Sequence, residues 1–285
     1  MIHLLLDPLQ FTFMQRALLG SVTVGILCAV LGTFVVLRKI AFIGEGLAHG
    51  SLAGLAIAYI FNWDLYIVGN IYTAGLALII GVLHEKTKVS FDTAIGIIFS
   101  TSLALGVALI SRVKFYTTDL TGYLFGSVLS ISSSDLKVML AGTLVVLALL
   151  LLFYKEFVFC AFDPEMAEVS GVNRGFFNYL LLVMIATAVV MASQTLGIIL
   201  VTSLLVTPAA AAYQLTHRLS RMMAIAVGIS VFASLVGLFV SYYLNVASGA
   251  SIAITASLIF VLTYVLSPRR KPLRKSLGLK ASMRT

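Results

Sequence analysis

Runs of about twenty apolar residues recur from Ala17 to Leu266, separated only by short polar stretches. A helix rising 1.5 Å per residue needs about 20 such residues to cross a hydrocarbon layer about 30 Å thick. Inside that layer a helix satisfies its own backbone polar groups, which a loop or an open strand cannot do. The pattern therefore dictates an all-α fold, a polytopic transmembrane helical bundle. Composition agrees, with 60% of the 285 residues hydrophobic and 11% charged. No polar stretch is long enough for a separate soluble domain. Residues 1–268 read as one transmembrane domain and 269–285 as a basic tail.

The net charge of +8 does not point to nucleic acid, because of where the charges lie. Seven of the nineteen Lys and Arg residues fall between Arg269 and Arg284, and most others lie in short loops. This is the positive-inside pattern, with anionic lipid as counter-charge and the tail on the cytoplasmic side. Cys28 and Cys160 are the only cysteines and suggest neither a disulfide framework nor a thiolate metal site. Asp7-Pro8 interrupts the N-terminal stretch, and no cleaved signal peptide is expected.

Taken in order, the expected spans are 17–37, 41–60, 65–83, 93–110, 136–154, 176–192, 196–215, 223–243 and 251–266. That gives nine, or eight if the first or the 115–134 region is misread, with the N-terminus outside and the tail inside. Arg38-Lys39 closes the first span on the cytoplasmic side, and Asn62-Trp63-Asp64 makes an outside turn. Residues 115–134 are too polar and glycine-broken for an ordinary span and read as a short outer or re-entrant helix. Ser132 to Asp135 reads as a helix start. Pro208 interrupts the seventh span and marks a kink.

Two stretches stand out. In Gly44-Glu45-Gly46-Leu47-Ala48-His49-Gly50, Glu45 and His49 are four apart and share one helix face. Gly46, Gly50 and Gly54 form a second stripe at the small-xxx-small spacing that lets membrane helices approach closely. Ionisable groups in the hydrocarbon are costly and mark pathways. A carboxylate and an imidazole suit manganese, iron or zinc. One pair supplies two ligands where a closed site wants about four. Asp92 and Asp119 lie near span ends, so the simple completion is a second copy of the chain, with the glycine stripe letting the two helices approach. The plainer alternative is a Glu–His hydrogen bond that satisfies two buried polar groups within one subunit.

The second stretch is the polar interruption 155–175. Asp163-Pro164-Glu165 reads as N-cap, proline at the first helical position and an acid in the first turn. Met166 and Ala167 continue the helix, and Ser170-Gly171 stops it. It is either an ordinary capped loop or a handle for a cytoplasmic partner. His84, in the loop after the third span, is not read as a ligand. No G-x-x-x-x-G-K-[ST], H-E-x-x-H or G-x-S-x-G occurs, so no ATP-binding P-loop, zinc-protease helix or nucleophile elbow is present and the chain is not read as an enzyme.

Six blocks in order resemble the membrane permease of the manganese/zinc/iron class of ABC importers. They are 37–49, 91–97, Tyr123-Leu124-Phe125-Gly126-Ser127, 162–167, Leu204 to Ala210 around Thr207-Pro208, and Ser248-Gly249-Ala250-Ser251-Ile252. The resemblance implies a permease working as a pair of copies in a prokaryotic cell membrane. It implies two cytoplasmic ATPase subunits and an extracytoplasmic metal-binding protein as partners. It places a coupling helix on Asp163–Gly171 and the metal pathway at Glu45 and His49, with no permanently bound cofactor. Glu45 stands where the family more often has Asp, and Ala53 where manganese-type members often have Pro. The end of the last span is closer to manganese and iron members, so manganese is favoured over zinc. Two rivals remain: an ion-coupled metal carrier or channel without an ATPase, and a related permease for a metal chelate.

Overall fold

The computed structural model describes residues 7–87, 89–111 and 131–267. Residues 115–130 of the expected outer helix, with the Tyr123–Ser127 block, and the basic tail lie outside them. Among the described residues there are no strands, and nine helices are long and apolar enough to cross a membrane. They are α1 (Thr12–Leu37), α2 (Ile43–Phe61), α3 (Leu65–Thr87), α4 (Phe91–Ile110), α5 (Ser133–Leu152), α8 (Arg174–Leu196), α9 (Ile198–Leu215), α10 (Leu219–Leu244) and α11 (Ser248–Leu266). Two short helices, α6 (Tyr154–Phe162) and α7 (Pro164–Val169), fill the gap before α8.

Several boundaries differ from the sequence reading. The stretch 155–175 holds two helices, because α6 buries Phe157 and Cys160 against the bundle. α8 runs on to Leu196, and Gly197, with φ of 87°, is the single residue before α9. Only a residue without a Cβ takes that backbone readily. The turn before α11 is made at Asn245, in a left-handed conformation, and Ser248 already belongs to the helix. The expected cap at Ser132 is a full capping box, with Ser132 and Asp135 each accepting from the other's backbone N–H.

The helices pack as two groups. α1 lies against α9 and α10, and α11 packs on both of these. α2 lies between α3 and α4, and α3 packs on α8. Contacts of α2 and α8 with α9 join the groups. Burial follows position: α1 is 72% buried over its most apolar stretch and α5 only 22%, so α1 is the central post and α5 lies at the periphery. The outward face of α11 carries Ile254, Leu258, Val261, Leu262 and Val265 at helical spacing, all exposed and suited to lipid.

Polar contacts sort the helix ends into two sets. Tyr66 donates to Asp135, and Gln194 donates to the Leu65 carbonyl, which gathers the starts of α3 and α5 with the end of α8. At the opposite end, Arg38 donates to Asn178 and Tyr179 donates to Glu85, gathering the ends of α1 and α3 with the start of α8. This is the alternation that nine consecutive crossings require. The second set also holds Lys39, Lys86, Lys155 and Arg174 and is the basic end of the bundle.

Candidate functional site

Helix α2 is held from behind. A Cβ on Gly46 would meet Ile95 Cγ2 at 2.5 Å, one on Gly50 would meet Leu76 Cδ1 at 2.9 Å, and one on Gly54 would meet Tyr72 Cβ at 2.7 Å. The glycine stripe is thus used inside the chain, against α3 and α4. This corrects the expectation that it would serve the approach of a second copy. Ser102 on α4 donates to the Gly50 carbonyl at 2.7 Å, and Tyr72 on α3 shares a 2.9 Å hydrogen bond with Ser102. Small residues bring the backbones close and one hydroxyl pair ties three helices together.

With that face packed, the opposite edge of α2 carries the charged pair. Glu45 sits in the first turn, where the positive end of the helix dipole favours a carboxylate. His49 lies one turn on, its Nε2 2.9 Å from Glu45 Oε1. The Glu45 side chain is 48% exposed and that of His49 21%, so the pair lines an open edge of the isolated chain. Phe99 of α4 meets the His49 ring edge-on at 5.8 Å between centroids, and the Thr202 hydroxyl of α9 neighbours the Glu45 carboxylate. Among the described residues no cluster of three or more His, Cys, Asp or Glu forms. One chain therefore offers an oxygen and a nitrogen. Phe99 and Thr202 escape a sequence reading because they come from other helices, and no local spacing announces them.

The second predicted group lies at the basic end. Asp163 accepts from Met166 N at 3.0 Å, Pro164 opens α7, and Glu165 stands in its first turn. Ser170 caps it, and Gly171 takes φ of 83° as Gly171 N reaches the Glu168 carbonyl and Val172 N the Ala167 carbonyl. These two bonds complete a Schellman stop. Ala167 is buried and anchors the helix, while Phe162, Met166 and Val169 are exposed. The structure brings Glu45 and His49 together, and the α7 residues together as a separate group.

His84 Nδ1 donates to the Val89 carbonyl at 2.7 Å, and its ring stacks on Phe91. Beside it, burial pulls the Arg38 guanidinium below its usual range, and the Arg174 charge adds to this. Burial also pushes the Cys160 thiol up. From sequence, Arg38 reads only as the close of a span and Cys160 only as one of two cysteines.

Over residues 10–267 the chain matches the ABC 3 transport family. It is 42% identical to the manganese transport system membrane protein MntC of Listeria monocytogenes, across 92% of this chain and 93% of that protein. It is 34% identical to the manganese import system permease protein ScaB of Streptococcus gordonii, across 93% of this chain and 95% of that protein. Among solved structures it is similar to PsaBC from Streptococcus pneumoniae in complex with Fab, with a TM-score of 0.86 and 34% identity over 97% of this chain and 100% of that one.

Proposed function

This chain belongs to the ABC 3 transport family, and from that premise we propose that it is the permease subunit of an ATP-driven importer for manganese(II). The observation that carries the reading is the Glu45–His49 pair, held 2.9 Å apart on an open edge of α2. At an octahedral ion, two neighbouring ligands with bonds of about 2.1 Å stand about 3.0 Å apart. The pair already has that spacing. A second copy would supply the remaining oxygen and nitrogen. A carboxylate and an imidazole are ligands of the kind that suit manganese, and zinc and iron are the competing cargoes. A sparse site suits passage, because ligation by a full protein cage would retain the ion.

The basic end of the bundle faces the cytoplasm in this reading, with the tail 269–285 on the same side. Two ATPase subunits dock at α7, where Met166 and Val169 stand exposed on a capped helix. ATP binding and hydrolysis there move α7 and change which side of the membrane the Glu45–His49 pathway faces. A metal-binding protein delivers the ion at the opposite mouth.

Metal content measured by mass spectrometry in otherwise identical cells, wild type against His49→Ala, tests the proposal under manganese, zinc and iron limitation in turn. A selective fall in manganese supports it. A selective fall in zinc or iron reassigns the cargo. No change, with the variant present at normal levels, removes His49 from the pathway.

A further inference from the structure

The hydrogen bonds at the basic end join the ends of α1 and α3 to the start of α8. Arg38 is the first residue after α1, at the turn into α2. Its backbone is fixed by a Schellman stop, in which Lys39 takes φ of 59°, Lys39 N reaches the Val36 carbonyl at 3.2 Å and Ile40 N reaches the Val35 carbonyl at 3.1 Å. Ile40 and Ile43, on either side of the entry into α2, are buried. A displacement of Arg38 is therefore passed to the first turn of α2, where Glu45 sits.

The Arg38 side chain reaches the other way. Nη1 donates to Asn178 Oδ1 at 2.6 Å, in the second turn of α8. Asn178 Nδ2 donates in turn to Glu85 Oε1 at 3.4 Å, and Tyr179 OH donates to Glu85 Oε2 at 2.6 Å. The amide stands between a cation and an anion, which fixes its orientation: oxygen toward the guanidinium, nitrogen toward the carboxylate. Arg38 Nε is buried without a hydrogen-bond partner among the described residues, so the guanidinium holds an unused donor. This network lines a cleft of about 210 Å³ whose other wall includes Cys160 of α6 and Pro164, the first residue of α7. Only residues 170–173 separate α7 from α8.

We infer that the Arg38–Asn178–Glu85 clasp is the joint that transmits movement of α7 and α8 to α2, making Arg38 a positioning residue for the Glu45–His49 pair. The inference rests on the proposed function, which assigns α7 to the ATPase and the pair to the metal. The chemistry of the joint favours a switch over a fixed weld. A half-buried guanidinium with a spare donor can exchange one partner for another as the cleft changes shape, whereas an apolar contact has no such alternative.

The test uses the full chain reconstituted in vesicles with its ATPase and binding-protein partners, measuring uptake of radioactive manganese(II) and ATP hydrolysis in the same sample. For Arg38→Gln, manganese carried per ATP hydrolysed falls about tenfold, while hydrolysis stays close to wild type. Arg38→Lys does not restore the ratio, because an ammonium lacks the guanidinium fork. Glu85→Gln lowers the ratio in the same direction, and the Arg38→Gln/Glu85→Gln double variant is no worse than the more severe single one, since both act through Asn178. An unchanged ratio in Arg38→Gln overturns the inference, as does full rescue by lysine or additive loss in the double variant. If Arg38→Gln does not assemble, Asn178→Leu and Glu85→Gln carry the same measurement. Wild-type vesicles that hydrolyse ATP but move no manganese count against the proposed function itself, which separates that failure from failure of the clasp.

Discussion

The Glu45 carboxylate and His49 Nε2 lie 2.9 Å apart and satisfy each other in the free chain. An ion that binds here must replace that hydrogen bond with two coordinate bonds. Phe99 packs edge-on against the imidazole. The proposed metal role and simple mutual satisfaction differ in what they predict for variants of this pair.

Glu45→Gln makes the first separation. Glutamine keeps the length and a hydrogen bond to His49 but loses the negative oxygen. A pair that only fills a polar need would tolerate it. A metal site loses about 10–100-fold in uptake, at least the effect of disturbing an outer-shell partner. Uptake assays on membranes with equal amounts of each protein check this.

Acid should oppose transport. An imidazole binds a metal only when neutral and a carboxylate only when ionised, so protons compete with the ion at both ligands. As the pH falls from about 7.5 to about 5.5, initial uptake at limiting manganese declines. Raising the manganese concentration recovers it. Uptake that is flat across this window, or that no added manganese restores, contradicts direct ligation by the pair.

Packing between α1 and α9 should be unforgiving at one point. A Cβ at Gly32 would fall on the backbone carbonyl of Leu205, which cannot rotate away. Gly32→Val forces the helices apart and costs about 1–3 kcal/mol or more. Gly75→Ala meets nothing within 4 Å and serves as the control. Thermal unfolding of the purified proteins in detergent should show a clear drop for the first and none for the second.

Helix α7 depends on its cap. Asp163→Ala removes the acceptor for Met166 N and destabilises the helix by about 1 kcal/mol, or about fivefold in local opening. Hydrogen exchange across residues 164–169 should accelerate by that factor while α8 is unchanged. Transport per ATP should fall with it, because a frayed helix transmits less of a partner's movement.

Cys160 should label slowly and with a steep pH dependence. It is 7% exposed, and burial raises its thiol above the ordinary range. The thiolate is the reacting form, so less of it is present at a given pH, and labelling by a maleimide rises as pH increases. Labelling of the folded protein at pH 7 as fast as that of the unfolded chain would contradict the buried position of this residue on α6.

The bundle itself was legible in the sequence. Twenty-residue apolar runs leave a membrane helix no other fold, and the i, i+4 spacing alone places Glu45 and His49 on one face. The Asp163 cap, Pro164 and Gly171 are local signals, and each acts within a few residues of itself. Those features need only short-range stereochemistry, so sequence determined them. The use of the glycine stripe was not legible: small-xxx-small spacing permits close approach without naming the neighbour, and α3 and α4 of the same chain occupy it. Helix α6 was hidden because its stabilisation comes from Phe157 and Cys160 buried against distant helices. Phe99 beside His49, Thr202 beside Glu45, and Asn178 between Arg38 and Glu85 are all meetings of residues far apart in the chain, 140 positions for Arg38 and Asn178. Only the tertiary structure decided these, because in a bilayer the choice of partner is made by side-chain fit and hydrogen bonding between helices that are all comparably apolar.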